Sequence, residues 1–148
     1  MKILMVCLGN ICRSPLAEGI LKHKTQNLNV FVDSAGTASY HIGNLPDSRS
    51  IEIASKNGID LTNQRARQFS KKDFNNFDKI YAMDTDNYAN IISLSKNQLE
   101  RNKVDVILNE LNPKSYKSVP DPYYGNGDGF QIVYDMLDQA CDAIVAKL

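Results

Sequence analysis

Ile3-Leu4-Met5-Val6-Cys7-Leu8-Gly9-Asn10-Ile11-Cys12-Arg13-Ser14-Pro15 reads as a strand, a loop and a helix start in direct succession. The apolar run before Cys7 suits a buried parallel strand, and Ser14-Pro15 is a strong helix opener, with Ser as N-cap and Pro at the first helical position. Leu16, Ala17, Ile20 and Leu21 then recur at helical spacing, and Glu18 is expected in the first turn, where the dipole favours an acid. The loop therefore lies at a positive helix end. It carries a nucleophile, Cys7, and, after five intervening residues, a fixed cation, Arg13. The thiolate is the reactive form of cysteine, and a helix N-terminus and a neighbouring cation both favour it. Backbone N–H groups between Cys7 and Arg13 can converge on a tetrahedral oxyanion. Gly9 permits close approach and Asn10 tolerates a left-handed backbone. The planar fork of Arg13 matches two oxygens at once, which lysine cannot copy. This is not a nucleotide-binding P-loop, whose G-x-x-x-x-G-K-[ST] pattern is missing.

Beyond this loop, apolar runs alternate with helical patterns. Val30-Phe31-Val32, Ile80 to Met83 and Val104 to Leu108 read as further strands. One helix is expected from Asp47 to a glycine stop at Gly58, another after Asp84 with Tyr88, Ile91 and Ile92. A last helix runs from about Gly129 to Leu148, with Phe130, Val133, Tyr134, Leu137, Cys141, Ile144 and Leu148 on one stripe. The pattern implies one α/β domain over 1–148, a four-stranded parallel sheet covered by helices on both faces. Ligands then bind beyond the C-terminal strand ends, where Cys7 lies.

Composition agrees. A chain of 148 residues suits one core, and 17 basic side chains balance 17 acidic ones, which argues against nucleic acid or an anionic membrane as partner. No apolar run approaches the ~20 residues of a membrane span, and the N-terminus has no signal-peptide pattern. Three cysteines fit a reducing compartment better than a disulfide scaffold, so a cytoplasmic location is expected.

The run V-C-L-G-N-I-C-R-S-P at Val6 to Pro15 resembles the active-site loop of the low-molecular-weight protein tyrosine phosphatases. Asp33-Ser34-Ala35-Gly36-Thr37, Ile42-Gly43-Asn44 with Pro46-Asp47, Arg65-Ala66-Arg67-Gln68, Met83-Asp84 and Asp121-Pro122-Tyr123-Tyr124-Gly125 follow in that family's order, so the likeness spans the chain. It implies a flavodoxin-like strand order and a metal-independent, cofactor-free hydrolysis of phosphotyrosine through a cysteinyl-phosphate. Cys7 would be the nucleophile. Arg13 and the loop, Leu8, Gly9, Asn10, Ile11 and Cys12, would bind phosphate.

An acid is needed to protonate the departing phenolate. Asp121 is the candidate, held in a stiff Val119-Pro120-Asp121-Pro122 loop, and the resemblance assigns it the same role. Ser14 is expected both to cap the helix and to direct its hydroxyl at the Cys7 sulfur. The resemblance makes Asn10 the tie to Ser34; where many relatives carry a supporting histidine, this chain has Asn63-Gln64. Tyr123, Tyr124 and Tyr40 are expected to line a slot deep enough for a phenyl ring, with Leu8 and Ile11 adding apolar contact and His41 beside Tyr40. Cys12 is a candidate to form a reversible disulfide with an oxidised Cys7, and Cys141 reads as core. Expected partners are phosphotyrosine-bearing proteins, including a tyrosine kinase or its targets, with the enzyme a monomer or weak dimer. Two rivals stand against this reading. An arsenate reductase on the same fold needs a further pair of relay cysteines, and none lies between Cys12 and Cys141. A non-catalytic phosphotyrosine-binding module is expected to have lost Cys7, Arg13 or Asp121, and all three are present.

Overall fold

The computed structural model describes residues 1–124 and 128–148, with the side chain of Tyr124 outside the description. Strand β1, Lys2–Cys7, leads into helix α1, Arg13–Lys24, and strand β2, Phe31–Gly36. Helices α2, Ser48–Lys56, and α3, Asp73–Asn76, precede strand β3, Lys79–Ala82. Helices α4, Thr85–Leu94, and α5, Gln98–Arg101, precede strand β4, Val104–Val106, and helix α6, Asp128–Ala146, closes the chain. The strands are parallel in the order β2-β1-β3-β4. The chain thus steps to one side of β1 and then crosses to the other, so the loop after β1 sits at the switch point where such sheets bind ligands.

Alternation along β1 divides the core. Ile3, Met5 and Cys7 face one cluster with Leu16, Ile20 and Leu21 of α1 and Phe130, Val133, Leu137 and Cys141 of α6. Leu4 and Val6 face a second with Phe69, Phe74, Ile80 and Ile91. A parallel sheet covered on both faces needs β1 to be apolar throughout, and its residues from Ile3 to Cys7 are all buried.

Several expectations shift at element ends. Helix α1 starts at Arg13, with Cys12 at its N-cap and no side-chain cap bond, so Ser14 does not cap it: Ser14 is already helical and its hydroxyl is engaged elsewhere. Pro15 falls third in the helix, still within the first turn, where its missing N–H costs nothing. Glu18 is then in the second turn, buried. Strand β2 runs on to Gly36, and β4 yields after Val106 to a 3-10 turn, Ile107–Glu110. The Asp47 cap is as expected, its carboxylate accepting the Arg49 N–H at 2.9 Å, and Gly58 has φ +77° just past the helix end. Leu148 lies beyond α6 and is exposed, off the buried stripe.

Candidate active site

Asn10 organises the loop after β1. Its φ of 58° is left-handed, a conformation asparagine tolerates, and its side chain uses both ends of the amide. Oδ1 accepts the Arg67 N–H at 3.0 Å, which leaves Nδ2 to donate to Ser14 Oγ at 2.8 Å and Ser34 Oγ at 2.9 Å. Ser34 in turn donates to the buried Glu18 carboxylate at 2.6 Å, whose other oxygen takes Lys22 at 2.5 Å. Burial pushes the Glu18 carboxyl above its ordinary value, against the pull of the Lys22 and Ser34 hydrogen bonds. With its oxygen receiving Asn10, Ser14 has its own proton for Cys7 Sγ, 3.0 Å away. The Asn10 N–H also points at that sulfur, at 3.3 Å. The donors run outward from the Asn10 amide in two branches, one through Ser14 to the Cys7 sulfur and the other through Ser34 to the Glu18 carboxylate.

Gly36 explains how β2 closes on the loop from behind. A Cβ there would meet Leu8 O at 2.7 Å and Asn10 N at 3.0 Å, both backbone atoms. Thr37 N–H and Ala38 N–H bond the Cys7 and Leu8 carbonyls at 2.9 Å each, so the loop backbone hangs on the end of β2. Gly9 serves a different neighbour: a Cβ there would come within 3.0 Å of the His41 ring.

Arg13 is buried and aimed. One amino group donates to Asp84 Oδ2 at 2.6 Å and to the Val119 carbonyl at 2.9 Å, using both of its protons. The second lies 3.6 Å from Asp121, so that amino group and Nε–H are the donors left for a ligand's oxygens. Burial works against the guanidinium charge, but Cys7, Asp84 and Asp121 outweigh it and hold the group firmly protonated. Asp121 itself is exposed, its Oδ1 accepting the Tyr123 N–H at 3.0 Å.

Cys7, Leu8, Ile11, Cys12 and Arg13 form the floor and near wall of one pocket, and Tyr40, His41, Asp121 and Tyr123 form its mouth. Tyr40 is exposed, a rim residue and not a buried wall. The expected Tyr124 contribution falls outside the described side chains. Burial, reinforced by Asp47, Cys7 and Asp121, pushes the Cys12 thiol up to about 12, against the pull of Arg49, so the two loop cysteines have opposite surroundings: hydrogen-bond donors for Cys7, negative charge for Cys12. Among the described residues no group of three or more His, Cys, Asp or Glu is placed to hold a metal ion, and no helix is long and apolar enough to cross a membrane.

Sequence reasoning missed Asp84 as the partner of Arg13, Glu18 as the end of the Asn10 chain, and the Arg67 N–H that sets the Asn10 amide. Asp84 was within reach: it follows β3, and pairing β3 to β1 brings Met83 N–H to the Val6 carbonyl at 3.0 Å, beside the loop. Gln64 donates to the Pro15 carbonyl at 3.1 Å, and Lys22 is the cation at Glu18.

The family model for the low molecular weight phosphotyrosine protein phosphatases matches residues 2–148. A low molecular weight phosphotyrosine protein phosphatase of Schizosaccharomyces pombe is 44% identical over 141 residues, 92% of this chain and 89% of that protein. A crystal structure of a protein tyrosine phosphatase from Entamoeba histolytica, with Hepes in its active site, is 41% identical with a TM-score of 0.92, covering 99% of this chain and 96% of that one. A Drosophila arginine phosphatase is similar at 34% identity and a TM-score of 0.89, covering 99% of this chain and 97% of that one.

Proposed function

Because the chain belongs to the low molecular weight phosphotyrosine protein phosphatase family, we propose that its phosphatase reaction runs on Cys7, Arg13 and Asp121, within one domain spanning 1–148. The Cys7 sulfur attacks phosphorus in line, the S–P bond forms as the ester O–P bond breaks, and Asp121 gives its proton to the departing oxygen. Loop N–H groups and the free donors of Arg13 hold the equatorial oxygens, where charge is greatest in the transition state. Water then attacks the cysteinyl-phosphate, Asp121 takes the water's proton, and the S–P electrons return to Cys7, helped by the Ser14 hydroxyl. The observation that carries this reading is the convergence on Cys7 Sγ of Ser14 at 3.0 Å and the Asn10 N–H at 3.3 Å, above the capless start of α1.

Phosphoproteins are the substrates the family implies, and aryl phosphate esters fit this pocket best. Leu8 and Ile11 give it apolar walls and Tyr40, His41 and Tyr123 an aromatic mouth, which suits a phenyl ring. Three free cysteines support a reducing, cytoplasmic setting, with tyrosine kinases or their targets as partners. Cys12, on the same pocket wall as Cys7, supports a protective role: a peroxide-formed Cys7 sulfenic acid condenses with the Cys12 thiol, releasing water and leaving a disulfide that thiols reduce.

The test is turnover of phosphotyrosine, p-nitrophenyl phosphate and phosphoarginine in the presence of EDTA by wild type and Cys7→Ser. Hydrolysis of both aryl esters that Cys7→Ser lacks is expected. Faster hydrolysis of phosphoarginine, or turnover by Cys7→Ser, would overturn the assignment. Trapping phosphoproteins from cell extract with Asp121→Ala should then identify tyrosine phosphosites.

A further inference from the structure

The start of α2 connects two loops that both line the pocket. On one side it is fastened to the phosphate-binding loop: the Asp47 N–H donates to the Ile11 carbonyl at 2.8 Å, and Ser50 Oγ to the Cys12 carbonyl at 3.3 Å. On the other side stands Arg49. Its Nε and Nη2 grip the two Asp47 oxygens at 3.0 and 2.9 Å, and the same Nη2 donates to the Tyr123 carbonyl at 3.3 Å. The guanidinium lies 4.6 Å from the Phe130 ring centre and 5.7 Å from that of Tyr123, between α6 and the acid-bearing loop. Phe130 is buried in the core, so Arg49 is braced on a fixed surface.

We propose that Arg49 is a positioning residue for the proton donor, a strap that ties the Asp121 loop to the Cys7 loop. The inference rests on the reading of Asp121 as the acid. The path is short: the Tyr123 carbonyl is held by Arg49, and the Tyr123 N–H is bonded to Asp121 Oδ1 at 3.0 Å. A shift of Tyr123 therefore moves the carboxyl relative to the sulfur. Arg49 does not serve as a second phosphate cation, because Asp47 already takes two of its donors and its charge. Lysine, with one nitrogen at the end of a flexible stem, cannot grip a carboxylate along one edge and reach a carbonyl with the same rigid fork.

The strap makes a prediction that a merely structural arginine does not. An acid matters most when the departing oxygen is a poor leaving group, and kcat/KM contains the step in which that oxygen departs. Across a series from dinitrophenyl through p-nitrophenyl to phenyl phosphate, Arg49→Met should leave the first within about 2-fold of wild type and slow the last roughly 10-fold, a fraction of the ~10²–10⁴-fold that general acid catalysis supplies. In an Asp121→Asn background the same substitution should add less than about 2-fold, since groups acting as one unit are not additive. Thermal melts check folding; if Arg49→Met melts out, Arg49→Lys carries the test with the same selective loss expected. Equal loss on all three esters, or no loss on phenyl phosphate, would overturn the strap. Asp121→Asn alone separates the two layers: selectivity there without selectivity at Arg49 sinks only the strap, and no selectivity there sinks the acid assignment beneath it.

Discussion

The two halves of the pocket are built to different standards. The cysteine side is made of buried polar groups: Asn10, Arg13, Ser14 and Ser34 are all 4% exposed or less, and bonds of 2.6 to 3.0 Å run from Cys7 through Ser14, Asn10 and Ser34 to Glu18. The acid side is open: Asp121 is exposed, and its loop is held by Val119 on the Met83 carbonyl, by Arg13 on the Val119 carbonyl and by the longer Arg49 contact at 3.3 Å. Buried polar networks are costly unless complete, and complete ones hold a single geometry. A cradle for a trianionic transition state benefits from that rigidity, whereas a proton donor must admit the substrate before it approaches the leaving oxygen.

Substitutions that strike each half should separate in size. Gly36→Ala puts a methyl into loop backbone at 2.7 and 3.0 Å, with no flexible neighbour to yield. It should lower kcat/KM for p-nitrophenyl phosphate by ~10²-fold, the penalty expected for about 1 Å of misplacement at the chemistry. Retention of wild-type activity would show the cradle to be soft. Asp121→Asn should lower kcat/KM for phenyl phosphate by ~10²–10⁴-fold while leaving phosphate inhibition near wild type, because the cradle is untouched.

Smaller effects belong to the supports. Asp47→Ala removes the cap of α2 and the anchor of Arg49, and should lower stability by about 1 kcal/mol, read by chemical denaturation. Arg49 hydrogen bonds hold the Asp47 carboxyl below its ordinary 3.8. Its folded value is depressed, so this contribution is present above the ordinary value and is lost as pH falls through the depressed one. The stability gap between wild type and Asp47→Ala should therefore close in acid; a gap constant down to the acid transition would contradict the pairing. At the far end of the scale, iodoacetate at neutral pH should label Cys7 alone, since burial pushes Cys12 and Cys141 up to about 12. Label on Cys12 would place both loop sulfurs in the same environment.

What was legible in the sequence follows the same division. The strand, the loop and the order of elements are written in local signals: the apolar run to Cys7, the Asp47 and Asp84 caps, the Gly58 stop. The chemistry-bearing types in one loop were equally plain. Ser14 misled because N-cap propensity is local, while the helix start is decided by Asn10 and Cys7 claiming its hydroxyl. Asp84 and Glu18 were hidden for a related reason. Each is distant in sequence from the group it serves, 71 positions from Arg13 and 16 from Ser34, and only the sheet order brings the first pair together.

The account stands on a phosphoryl group passing through Cys7. Acid quench of the enzyme within its first turnovers of p-nitrophenyl phosphate, followed by mass mapping, tests this directly. One phosphoryl group on the Cys7 peptide, increased in Asp121→Asn, whose hydrolytic step is slowed, is the predicted result. A phosphoryl group on Cys12 or Ser14, or steady turnover with no phosphorylated enzyme, would contradict it.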